Sequence, residues 1–496
     1  MFAKTIIDWL KKYRSSSSHP GKRKTFRPRL EILEDRDCPA VFNVANGDVA
    51  TLIADITLAN ANNQADTINL AAGGTYNLTT AIVTGTGNNG LPIVTPDTAN
   101  PANTLTIEGN GATIQRTGVG TLRILQITGV LNLDQVTISN GIANDGQGGA
   151  GIDVQAGGVL HLTNSAIINN TNQNQFGGGI AFEVGAAAST ISQSTISGNQ
   201  TLAGNNGGGI EMLTVNTLSI TQSTIANNQA SVVGGGLGGG LRNPIGTGTV
   251  TILNSIIATN TASAGGGNDV SNFGALVTNA SIIPTIVGAG TVTGAPSTVT
   301  PTLGILRNNG GLTPTQALLA GSPSGIDQGN NANAPSAFDQ RGAGFNRIIN
   351  GTVDIGAYEF QPLAVTVGIS SSLNPSKVGQ TVVFTAAVQG VALNSNIPQG
   401  TVTFLIDGSV AATLALINGS VSFSVPSLTA GNHSIQAVYS PTLFSDYGFS
   451  AGSSAVLTQR VQPPTPVVTT PVVTPPPPVV TPPPTTRRIF GRRYNR

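Results

Sequence analysis

Hydrophobic positions between Gln135 and Asn260 recur with a long period. Five short segments align: "QVTISN" from Gln135, "NSAIINN" from Asn164, "QSTISGN" from Gln193, "QSTIANN" from Gln222 and "NSIIATN" from Asn254. Their central isoleucines, Ile138, Ile167, Ile196, Ile225 and Ile257, lie 29, 29, 29 and 32 residues apart. A second marker keeps step, since glycine runs end in an aliphatic residue at Ile152, Ile180, Ile210 and Leu241. An alternating stretch precedes the later anchors: "VLHLTN", "STISQ", "NTLSIT" and "TVTIL". Each period predicts three short strands, one after the glycines, one alternating and one at the anchor isoleucine.

Strands this short, separated by Gly/Asn turns, hold no stable meander, but they can coil. Three strands around a coil, stacked on the next coil, form a parallel β-helix. A lone coil gains too little from its few aliphatic side chains to offset the entropy of ordering it, so neighbours must close its core. The anchor isoleucines then form an inner column. The recurring asparagines are expected at the corners, in left-handed backbone, bonding along the axis. Before the repeat, Val49, Leu52, Ile53 and Ile56 have helical spacing with Asp48 as N-cap, which predicts an amphipathic helix covering the first coil.

Composition divides the chain further. Charged residues make up only 9% of the 496 residues and the net charge is +1, so no global attraction to nucleic acid is expected. Lysine clusters in the first 24 residues and arginine in the last ten, leaving a nearly uncharged middle. We divide the chain into a basic leader or export segment (1–40), a β-helix with an N-terminal helical cap (41–361), an alternating Val/Thr/Ser-rich sandwich domain (362–461) and a Pro-rich tail with a basic end (462–496). The tail is expected to be polyproline II, a spacer of about 3 Å per residue. "MFAKTIIDWLKKYR" has one apolar helical face suited to a membrane surface, but makes a poor secretory signal. A single cysteine, Cys38, rules out an intrachain disulfide, and no apolar run is long enough to span a membrane.

The repeat resembles right-handed parallel β-helix proteins of bacterial surfaces, including the polymorphic outer-membrane type, on its glycine-run-plus-aliphatic unit and "STISGN"-like strands. "NNGGLTPTQALLAGSPSGIDQG" and "DQRGAGFNRIINGTVDIGAYEF" resemble the choice-of-anchor Q domain, with Ser324-Gly325 in place of the usual Ala-like step. "RLEILEDRDCPA" resembles the LEPR-type leader of large exported proteins. Residues 363–461 resemble a bacterial Ig-like domain, with Phe384, Phe404, Phe423 and Tyr439 as core aromatics and an atypical loop after Tyr439. These resemblances imply an all-β chain, a right-handed pectin-lyase-like β-helix followed by an Ig-like β-sandwich, that is exported to the cell surface or the extracellular space.

Some β-helices cleave polysaccharides with carboxylates on one outer sheet. The residue after each glycine-run aliphatic is Asp153, Ala181, Glu211 or Arg242, and Glu183 lies two residues along. Stacked about 4.8 Å apart, Asp153, Glu183, Glu211 and Arg242 are expected to make a shallow outward strip. It reads either as a carbohydrate site or as solvated residues with one weak ion pair. In the closing segment Asp327, Asp339 and Asp354 are candidate Ca²⁺ ligands, although pairing of Asp339 or Asp354 with Arg341 is the simpler expectation. "GTGNNG" precedes prolines rather than a helix, and three scattered histidines with one cysteine make no zinc pattern. The residues favour a structural or adhesive surface protein over an enzyme. Its expected partners are a surface polymer, polysaccharide or protein, and the alternative role is binding or degrading a polysaccharide.

Overall fold

The computed structural model describes residues 40–482 apart from 83–86, 98–99, 101, 214–216, 232–233, 245–247, 320–321, 323, 363, 391–396, 442–448 and 467–471. The basic leader, the loop after Tyr439 and the basic end lie outside the described residues. Within them the chain is all-β with little helix: a parallel β-solenoid of about eight turns, then an Ig-like sandwich.

Each coil runs from a glycine run through three strands. Ile152–Val154, Val159–Thr163 and Ala166–Ile168 make one such coil. Stacked, they form three parallel sheets. The long sheet has ten strands, from Val41–Val44 to Thr291–Thr293. The glycine sheet has seven, from Leu125–Ile127 to Ile286–Val287. The anchor sheet also has seven, from Thr75–Leu78 to Ile256–Ala258.

The repeat period sets the register. Ile138, Ile167, Ile196, Ile225 and Ile257 are successive partners in the anchor sheet, and each is 0% exposed. In the long sheet Leu131, Leu160 and Leu162 face the same interior, while Asn132 and His161 alternate outward. Leu52 and Ile56 of the helix Val49–Ala59 join this core at its N-terminal end. Asp48 caps that helix, accepting from Thr51 N at 3.0 Å.

Corners are closed by two polar ladders. Asn170, Asn199, Asn228 and Asn260 stack, each side-chain amide donating to the next residue's Oδ1 at 2.9–3.0 Å. The same Oδ1 atoms accept the preceding asparagine's backbone N–H at 2.9–3.0 Å. A serine ladder runs beside it: the backbone N–H groups of Ser165, Ser194 and Ser223 donate to the hydroxyls of Ser194, Ser223 and Ser255 at 3.0–3.2 Å. Left-handed backbone is held, as expected, by the corner residues Asn140, Asn164, Asn169, Asn227 and Asn254, but not by the asparagines that stack along the axis. Positive φ falls one residue earlier, at Asn169, Gly198, Asn227 and Thr259. That kink turns the following side chain inward, where it stacks.

After the last coil the chain runs back along the outer face of the anchor sheet. Asn330 and Asn254 exchange two 2.8 Å bonds, and Gln193 donates to Phe338 O. Gln340 accepts from Thr195 Oγ1 at 2.6 Å, and Thr313 donates to Asn164 O at 2.8 Å. Gly356, at φ +109°, sits so close that a Cβ there would be 2.8 Å from Ile256 Cδ1. This strap explains why the outward positions Thr195, Thr224 and Ile256 are buried.

The sandwich comprises an antiparallel sheet of Val365–Ser371, Val382–Gly390 and Ser420–Val425 against one built on Gly400–Ile406 and Gly431–Pro441. Phe384, Phe404 and Tyr439 are fully buried; Phe423 is half-buried, its ring 5.5 Å from that of Phe404.

Replacing Asn199 by Ala strands buried partners in the two adjoining coils. We expect the solenoid's unfolding transition to lose about 2–4 kcal/mol, against about 0.5 kcal/mol or less for Asn132→Ala on the outer face. Urea unfolding of both variants measures the difference.

Candidate functional site

The residue after each glycine-run aliphatic falls in one register. Gln126, Asp153, Ala181, Glu211, Arg242 and Ser271 are successive partners in the glycine sheet. By alternation this column points away from the aliphatic core, yet it is not open to solvent. Asp153 and Glu211 are 0% exposed, and Glu183 is half-buried.

The glycine runs cause that burial. Gly149, Gly177, Gly207 and Gly238 each lie four residues before a column position and hold φ between +57° and +70°. This left-handed turn folds the backbone over the column. A Cβ on Gly207 would lie 2.7 Å from Glu211 Cβ, and one on Gly177 would lie 2.8 Å from Ala181 Cβ. The repeated glycines thus supply a thin lid that a side chain would break.

Under that lid the charges form a chain. Arg123, 0% exposed, donates through Nε to Gly148 O and Gly149 O at 2.9 and 2.8 Å. Its NH2 pairs with Asp145 Oδ1 at 3.0 Å, while its Nε lies 3.8 Å from Asp153 Oδ2. Asp153 Oδ2 also accepts from Gln126 and Gln155 at 3.0 and 2.7 Å. Glu183 reaches back over the space that Ala181 leaves, its Oε1 only 2.5 Å from where a Gly148 Cβ would be. Glu211 Oε1 accepts from Arg242 NH1 at 2.5 Å. Asp153 Oδ1, Glu211 Oε2 and Arg242 Nε are buried and have no hydrogen-bond partner among the described residues.

Burial dominates the acid–base behaviour here. It raises the Glu211 carboxyl to about 8, outweighing the attraction of Arg242. Burial and the nearby Asp153 charge raise Glu183 to about 7. Asp153 is raised by burial against the pull of Arg123. Burial also works against Asp145, but there Arg123 and the backbone N–H of Asn88 prevail and hold it low.

The structure therefore places Asp153, Glu183, Glu211 and Arg242 on one side of the solenoid and pairs the last two. It puts them in a covered ladder rather than a shallow open strip. Sequence reasoning missed Arg123 and Asp145. A signal was present for Asp145, which opens the first glycine run, since six of the eight charged residues between Gly118 and Thr300 lie beside those runs; Arg123 lies before them and carried no such signal.

In the closing segment Asp327, Asp354 and Glu359 bring carboxylate oxygens within 4.8 Å of one another. Asp339 stands apart from that group, forked onto Arg341 with bonds of 2.6–3.1 Å. The Arg341 guanidinium stacks between Phe345 and Tyr358, 4.0 and 3.8 Å from their ring centres. Both oxygens of Asp354 and both of Glu359 accept backbone N–H groups. The fully buried Arg347 donates to the carbonyls of Asp354 and Gly356. Backbone N–H donors and a buried guanidinium thus already balance the charge of this carboxylate group.

Residues 369–462 match the bacterial Ig-like domain (group 3) family model. No curated protein matches the chain in sequence. Among solved structures the chain is similar to chitinase ChiW from Paenibacillus sp. str. FPU-7, described as a bacterial cell-surface-expressed multi-modular enzyme. Identity is 11%, the match covers 84% of this chain but 24% of that chain, and the TM-score is 0.13. A likeness that low carries no argument about fold or activity.

Two predictions follow from the charges. Glu183 and Glu211 have folded pKa values above their unfolded ones, so the folded state binds more protons between about pH 4.5 and 8. Their stabilising contribution is present at low pH and lost as pH rises through about 7 and 8. The solenoid's Tm is expected to fall between about pH 4.5 and 8, and to fall less in Glu211→Gln, as followed by circular dichroism. Ca²⁺ or a chelator is expected to leave the Tm unchanged in calorimetry.

Proposed function

We propose that the protein is an exported, surface-displayed structural or adhesive protein, in which the solenoid is the interaction surface and the Ig-like domain a spacer. The observation that carries this reading is the burial of the acidic column: Asp153 and Glu211 are closed off beneath glycine turns, and Glu211 is paired with Arg242, which leaves only Glu183 and Arg242 partly exposed. The outer face left to solvent is rich in hydroxyls and amides, with Thr106, Asn132, His161, Thr190, Ser219 and Thr251 in register along the long sheet. The Ig-like match supports a cell-surface or extracellular setting. Membership of the choice-of-anchor Q or polymorphic outer-membrane type, and an LEPR-type leader directing export, belong to the same proposal. In its favour, the motif residues Gln340, Arg341, Asp354 and Glu359 all sit in the strap or its charge network.

The test is twofold. Protease added to intact cells is expected to degrade the protein, and the purified chain is expected to release no product from a panel of acidic and neutral polysaccharides, with or without Ca²⁺. Product release that Glu211→Gln abolishes would replace this reading with polysaccharide cleavage.

A further inference from the structure

The two ends of the solenoid differ. At the N-terminal end the helix Val49–Ala59 places Leu52 and Ile56, both 0% exposed, in the same core as Val44, Ile68 and Tyr76. That end is closed. At the other end the last strands are Thr291–Thr293 in the long sheet and Ile286–Val287 in the glycine sheet, each an edge. Val292 is the register partner of Leu276, which is 1% exposed and part of the core. Partners in a parallel ladder face the same way, so Val292 continues the inner column, yet it is 41% exposed. Ile286 likewise continues the column of Val270 and is only half-buried.

Among the described residues the free edge also has open backbone groups. Thr291 N–H donates back to Gly274 O at 2.9 Å. Successive residues of a strand point their N–H and C=O groups to opposite sides, so those of Val292 point off the end of the stack. Natural edges are usually guarded by charge. Here no charged residue occurs from Val270 through Leu306.

We propose that this open end is a self-association surface on which a second copy of the chain docks end to end. Terminal strands that carry no charge of their own meet their copy with no like-charge repulsion between them. Head-to-tail stacking would press the open end onto the helix that closes the other, so the contact joins like ends about a two-fold axis. Under that symmetry Thr291–Thr293 pairs antiparallel with its mate, and the two Val292 side chains close each other's interior. A contact of this kind makes a closed dimer, not a filament.

Sedimentation equilibrium of the full chain tests this. The wild type is expected to move from one to two chain masses as concentration rises, and to stop there. Val292→Lys sets a charge in the contact, and Val292→Pro removes the outward N–H while keeping an apolar side chain at a position where an edge strand tolerates proline. Both are expected to stay monomeric across the range, while Val184→Lys, on an exposed turn, dimerises like wild type. If one Val292 variant misfolds by circular dichroism, the other still reads the edge. A wild type that stays monomeric at all concentrations, masses that grow beyond two chains, or folded Val292 variants that dimerise normally would overturn the proposal.

Discussion

Every feature of the solenoid depends on one constraint: each coil must hand its backbone and buried polar groups to the next coil in an unchanged register. The anchor isoleucines satisfy the apolar side of that constraint. The asparagine and serine ladders satisfy the polar side, since each side chain accepts a backbone N–H from the coil before it. A coil one residue too long at the wrong place would turn both ladders and the isoleucine column out of line. Where the interval grows from 29 to 32 residues, the extra length falls between the two markers: Ile225 still partners Ile257 and Asn228 still bonds Asn260 at 3.0 Å.

What could be read from the chain follows from how local each signal is. The isoleucine column was legible because its period repeats, and the helix cap because Asp48 and Thr51 are close in sequence. The asparagine corners were half legible. In "NN" pairs such as Asn169-Asn170 the two residues have different tasks, and composition alone does not tell which kinks and which stacks. The strap was not legible, because its contacts join residues far apart with no period, as between Gln340 and Thr195. Its trace was indirect: the anchor strands carry Thr137, Ala166, Thr195, Thr224 and Ile256 at outward positions, without the charges of a solvated face.

The same distinction governs the candidate site. Register placed Asp153, Glu211 and Arg242 on one column, as their spacing implied. Their surroundings came from the glycine turns, whose positive φ carries the backbone over that column. A charge under such a cover needs a partner or a proton. Arg123 and Arg242 supply partners at either end, and the raised pKa values of Glu183 and Glu211 show where protons complete the balance. A chain with few charges thus spends most of those in its middle coils on an internal polar spine.

Hydrogen exchange followed by mass spectrometry tests the shared register most directly. Peptides covering residues 164–172, 193–201 and 222–230 occupy the same place in three successive coils, so they should show equal and strong protection, lost together as denaturant is added. Rapid exchange in these peptides, or protection that differs sharply from one to the next, would contradict the account.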